Sequence, residues 1–161
     1  MRLLKSLPVI MLSSIVAFSL PAVAETSKPA AKKSQQQSDK ELKRFASSIT
    51  LSFNGIELDT SSSQPTVHFK YTLKNISKKE IKKVEWIATY LHNNRAILIQ
   101  DEPVTLNKFT PKSSRNLTFS LPFNALPLEA QKVFSDPNNK ISIQFQAKSI
   151  TFTDKSQIIV K

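Results

Sequence analysis

Four lysines crowd one short stretch of this 161-residue chain, Lys78-Lys79-Glu80-Ile81-Lys82-Lys83. Clustered ammonium groups attract phosphate-bearing partners, so Lys78, Lys79, Lys82 and Lys83 form the candidate binding patch. Its expected targets are anionic lipid headgroups and lipopolysaccharide. Nucleic acid is the weakest target, because single-strand platforms need exposed aromatics interleaved with Arg, and Arg is scarce here. Lysines on exposed strands and turns also serve a plainer purpose, blocking edge-to-edge aggregation.

Other chemistry is thin. The histidines, His68 and His92, have no second His at i+2 or i+4. A metal site would need them to meet across strands beside Asp or Glu; the expectation is two solvent-facing side chains and no metal. Asp101 and Glu102 are adjacent carboxylates, but neighbours on a strand point to opposite faces. With Asp59, Glu80, Asp136 and Asp154 they are read as solvated loop charges. The chain has one Gly and no Cys. A P-loop, a dinucleotide-binding glycine motif and a nucleophile elbow each need several Gly where backbone turns sharply or approaches phosphate. Disulfides, thiolate metal sites and Cys nucleophiles need Cys. No cofactor and no enzymatic activity are expected. Asn75-Ile76-Ser77 and Asn116-Leu117-Thr118 match the glycosylation tripeptide, which is common by chance.

Residues 1–24 read as a secretory signal peptide. Arg2 and Lys5 precede a short apolar run over 7–20, and Pro21-Ala22-Val23-Ala24 supplies a small-x-small cleavage site with the cut after Ala24. The apolar run is too short and too broken by Pro8, Ser13, Ser14 and Ser19 to span a bilayer, which needs about 20 residues. No Cys follows the leader, so no lipoprotein anchor is expected, and the mature chain has no transmembrane segment. Periplasmic or secreted localisation follows. Both Met residues lie in the leader, leaving a sulfur-free mature chain with 21 basic and 12 acidic residues.

Residues 25–44 have the composition of a flexible basic linker, rich in Ser, Lys, Gln and Ala and free of aromatics. Within it, Ser38-Asp39-Lys40-Glu41 fits a capping box, so 38–45 can form a helical turn or two. Residues 45–161 then read as one domain built almost wholly of strands. Val67, Phe69, Tyr71 and Leu73 alternate with His68, Lys70, Thr72 and Lys74, a period of two with one wet face. Ile49, Leu51 and Phe53 lead to Asn54-Gly55, a turn or a bulge, and Ile56 and Leu58 resume the pattern. Val84, Trp86, Ala88 and Tyr90 make a third strand, with Ile87 and Leu91 apolar on its other side, as if both faces were covered. After Asn93-Asn94 come a short run over 96–99 and a brief edge strand at Val104 and Leu106. Leu117, Phe119, Leu121 and Phe123 alternate; one short helix is expected over 128–134. Ile141 to Ala147 in alternation, then Ile150-Phe152, then Ile158-Val160 complete the set. With one Gly available, turns that need positive φ fall to Asn. Seven or eight short strands argue an all-β, immunoglobulin-like antiparallel β-sandwich, with a barrel as the competing fold and core packing replacing the usual disulfide.

Three features carry a resemblance: Tyr71-Thr72-Leu73-Lys74-Asn75-Ile76-Ser77, Ala88-Thr89-Tyr90-Leu91-His92-Asn93-Asn94, and Phe109-Thr110-Pro111-Lys112-Ser113-Ser114 leading into Leu117-Thr118-Phe119. Over 67–123 the chain resembles bacterial exported FxLYD-type, immunoglobulin-like domains. The second feature lacks the hallmark Phe, Asp and Gly of that family. The resemblance implies a binding or structural module and carries over no catalytic residue. The expected function is therefore a non-enzymatic exported interaction module for an envelope protein, a glycan or an anionic envelope surface. The alternative is a carrier of a small ligand, lipid or metal, with its site between the two sheets.

Overall fold

The fold is that of a computed structural model, which describes residues 29–161. The expected leader over 1–24 and its cleavage site lie outside the described residues. No helix among the described residues is long and apolar enough to cross a membrane.

Helix α1 spans Pro29–Ala46. The segment expected as a flexible linker over 25–44 is thus helical from Pro29, not merely for a turn or two at its end. Ala, Lys, Gln and Glu are strong helix formers, and the costly nucleus is supplied where Leu42 and the buried Phe45 dock on the core. The helix ends at two serines: the hydroxyls of Ser47 and Ser48 donate to the Arg44 carbonyl at 3.0 and 2.7 Å.

Seven antiparallel strands follow: β1 Ile49–Asp59, β2 Thr66–Asn75, β3 Ile81–His92, β4 Arg95–Phe109, β5 Ser114–Pro122, β6 Ser142–Phe152 and β7 Gln157–Ile159. They form two sheets, β1-β2-β5 and β4-β3-β6-β7, so the structure is a sandwich and not a closed barrel. The expected short helix is α2, Leu128–Ser135, which plugs one end with Ala130, Val133 and Phe134.

The alternation read from the sequence sets which face is buried. Val67, Phe69, Tyr71 and Leu73 on β2, and Val84, Ala88 and Tyr90 on β3, are fully buried, with Trp86 at 1%. Tyr71 touches Trp86 at 6.1 Å and Phe145 of β6 at 6.0 Å between ring centroids, edge-on or tilted as aromatic quadrupoles prefer. The hydroxyls of Tyr71 and Tyr90 hydrogen-bond across the gap between the sheets. Ile87 and Leu91, on the outer face of β3, are half-buried.

Several local readings change. Asn54-Gly55 is a bulge inside β1, where Gly55 takes a φ of 131° that favours glycine. Asn93 and Asn94, at φ 49° and 62°, make the two-residue hairpin turn between β3 and β4. The other positive-φ positions fall to Lys108, Lys112 and Lys155, not to Asn. The run over 96–99 and the brief strand at 104–106 are one strand, β4, with Pro103 inside it. Pro103 is tolerated because β4 is a sheet edge, where the missing N–H breaks no ladder bond.

Candidate functional site

Asn75 fixes the lysine-bearing connection between β2 and β3. It is fully buried, and its amide donates to the carbonyls of Lys79 and Phe109, both at 2.9 Å. Its Oδ1 accepts from the backbone N–H and hydroxyl of Ser77 at 3.0 and 2.7 Å. Of the four candidate lysines, Lys78 and Lys79 stand on this connection and Lys82 and Lys83 at the start of β3, and two of the four are paired with carboxylates. Lys79 Nζ reaches Asp154 Oδ2 at 2.6 Å and Ser156 Oγ at 3.0 Å, and lies 5.4 Å from the centre of the Phe152 ring. Lys83 Nζ meets Glu85 Oε1 at 2.7 Å. Lys78 and Lys82 are exposed and make no ion pair among the described residues.

The carboxyls opposite these lysines respond accordingly. The Lys79 bond, aided by Ser156, holds Asp154 down to about 2. Lys83 and the Ser149 hydroxyl hold Glu85 below its ordinary value. Beside Lys79 a shallow cleft of about 220 Å³ is lined by Arg44, Ser47, Ser48, Ser77 and Ser156. Its composition suits an anion, but its serine hydroxyls already donate elsewhere and Arg44 already holds a carboxylate. Ser47 and Ser48 donate to a helix carbonyl, Ser77 to Asn75, Ser156 to Asp154 at 2.5 Å, and Arg44 to Glu41. An incoming anion would meet lone pairs in place of free hydroxyl hydrogens.

The two histidines stand on different sheets. His68 Nδ1 bonds Ser120 Oγ at 2.7 Å on the outer side of β2, and His92 Nδ1 donates to the Lys140 carbonyl at 3.1 Å. No group of three His, Cys, Asp or Glu suited to a metal ion occurs among the described residues.

Glu102 departs from the reading of the acids as solvated charges. Asp101 does point outward, to Lys148 Nζ at 2.6 Å. Glu102 points between the sheets and is only 8% exposed. Burial, with a smaller contribution from Asp101, pushes its carboxyl up to about 7. Its cross-strand neighbour is Trp86, and two residues along, Gln100 lies opposite Ala88. The Trp86 indole N–H and Gln100 Oε1 are both buried without a hydrogen-bond partner. This inward polar row was hidden in the sequence, because splitting β4 into two short pieces removed the alternation that places Gln100, Glu102 and Val104 on one face.

Comparison with known proteins finds no matching family model, no matching curated protein and no matching solved structure.

Proposed function

We propose that this chain is a non-enzymatic, exported interaction module of immunoglobulin-like type, acting in the periplasm or outside the cell on an envelope protein, glycan or anionic surface. The observation that carries this reading is the use of the interior. Trp86, Tyr71, Tyr90, Phe69 and Phe109 are among the largest fully buried side chains, and the Tyr71–Tyr90 bond closes the centre, which leaves recognition to the outer surface. The immunoglobulin-like assignment is supported by Trp86 on the third strand, which lies edge-on to Tyr71 on the second, which in turn meets Phe145 on the sixth. Antibody domains place a Trp on the third strand against a disulfide linking the second and sixth; here aromatic rings take the place of that bridge. The FxLYD-type resemblance agrees with it. Export is supported by Arg2, Lys5, the apolar run and Ala22-Val23-Ala24. Exposed Lys78 and Lys82 supply an uncompensated positive surface.

The test is capture of a partner from envelope extract at low salt by the immobilised mature chain, followed by reconstitution with the purified partner. Expected is a complex that survives reconstitution and weakens with salt. Failure to recover any partner overturns the reading. N-terminal sequencing of the exported protein is expected to begin at Glu25.

One observation favours the carrier reading, namely the unpaired Trp86 N–H and Gln100 Oε1 beside buried Glu102. Native mass spectrometry of protein from its own host decides between the two. Bare polypeptide supports the interaction module; a bound small molecule supports the carrier.

A further inference from the structure

We propose that β5 is a docking edge, on which an extended segment of a partner protein adds a fourth strand to the β1-β2-β5 sheet. This inference rests on the interaction-module reading and names where and how the module binds.

The sandwich has four edge strands, β1, β5, β4 and β7. Proteins blunt such edges with bulges, proline, charge, shortness or a covering element, because unpaired N–H and C=O groups recruit other strands. Three of the four are blunted here. β1 is bulged at Gly55 and has α1 against it. β7 is three residues long, and α1 also lies against it. β4 carries Pro103 and a left-handed Lys108. Among the described residues β5 has no bulge and no helix packed extensively against it, and its one charge, Arg115, and its one proline, Pro122, sit at its two ends. It pairs with β2 in unbroken register, from Thr66 opposite Pro122 to Lys74 opposite Ser114. The stretch 116–121 contains no charge.

The inner face at this edge is also unfinished. Val67, Phe69 and Tyr71 on β2 are fully buried. Their direct partners on β5, Leu121, Phe119 and Leu117, are only half-buried. A further strand beside β5 would bring apolar side chains at every second residue and cover that row. The outward row, Asn116, Thr118 and Ser120, is exposed and polar, so the alternate residues of the partner are polar. Lys74, Lys112 and Arg115 gather at the Ser114 end of β5, which selects a segment bearing acidic residues. The net positive charge of the chain works against a second copy as the occupant.

The probe is a nine-residue synthetic peptide alternating valine with threonine and glutamate, matching β5 in length. Trp86, the single tryptophan, lies 6.0 Å from Phe119 between ring centroids and reports binding by its fluorescence. Expected are saturable binding and new hydrogen-exchange protection at alternate amides of 116–121. Affinity should fall about ten-fold or more when alternate peptide amides are N-methylated, since each removes a main-chain hydrogen bond. Replacing the glutamates with lysines should also weaken binding. Protection on β4 or β7, no protection anywhere, or equal binding of the N-methylated peptide overturns the proposal. So does sedimentation showing a dimer with those amides protected before peptide is added. If a reconstituted envelope partner binds and the peptide does not compete, the edge assignment falls while the interaction-module reading stands; a bound small molecule in native mass spectrometry removes that reading itself.

Discussion

Tyr71 on β2 and Tyr90 on β3 meet hydroxyl to hydroxyl between the two sheets. Burial raises both phenols above their ordinary value of 10.0, Tyr71 by desolvation foremost and Tyr90 by desolvation and then its neighbour. Replacing Tyr90 by Phe leaves the Tyr71 hydroxyl buried without this partner, a cost of about 1–3 kcal/mol. Replacing both should cost less than the two single changes summed, because no orphan remains. Urea denaturation of the three variants measures the difference. The same pair sets an alkaline limit. The unfolded chain loses phenolic protons above pH 10 while the folded one retains them, so stability falls as pH rises past 10. These are the only two tyrosines, so absorbance should show no phenolate until the protein unfolds, then both at once.

Glu102 gives a second pH dependence, in a different window. Its carboxyl titrates near 4.5 when unfolded and at about 7 in the fold. Between those values the folded state holds a proton that the unfolded state has lost. The contribution is therefore complete below pH 4.5 and disappears as pH rises through 7, amounting to about 3 kcal/mol. Glu102→Gln should flatten that part of the stability profile and leave the variant more stable than the parent at pH 8. A urea-denaturation series from pH 4 to 8.5 checks both statements, and an unchanged slope in the variant would contradict them.

The Lys79–Asp154 pair lies on the surface and acts in acid. Because Asp154 is held down to about 2 from 3.8, its contribution is present above 3.8 and is lost as pH falls through 2. Carboxyl NMR should show that low midpoint in the parent, and a return toward 3.8 in Lys79→Ala. Added salt should shrink the difference between the two.

Asn75 is the most sensitive polar position in the lysine connection. Asn75→Ala takes the amide donor from the buried Phe109 carbonyl and leaves the Lys79 carbonyl with the Ser77 hydroxyl alone, and should cost about 1–3 kcal/mol. Asn75→Asp should cost more, since a carboxylate would then face those carbonyls. Thermal unfolding ranks the two variants, and hydrogen exchange should show 76–80 loosened first.

How much could be read in advance depended on the range of the interactions. The inner row of β2, from Val67 to Leu73, was legible because a period of two needs no knowledge of partners. The full extent of β4 was not: Pro103 argues against a strand until the strand is known to be an edge, and with β4 divided, Glu102 could not be placed inside. The helix of 29–46 was masked by polar composition, since the contacts that hold its last turn are made by Leu42 and Phe45 with strands far along the chain. The lysine cluster was legible as composition only. What compensates Lys79 is Asp154, 75 residues away, and no local pattern announces that pairing.

The left-handed corners at Lys108, Lys112 and Lys155 tie backbone geometry to surface charge. A glycine at any of them would relax the corner and delete a cation in the same step. At each of these three positions the chain keeps a surface cation on a backbone conformation that glycine adopts more readily.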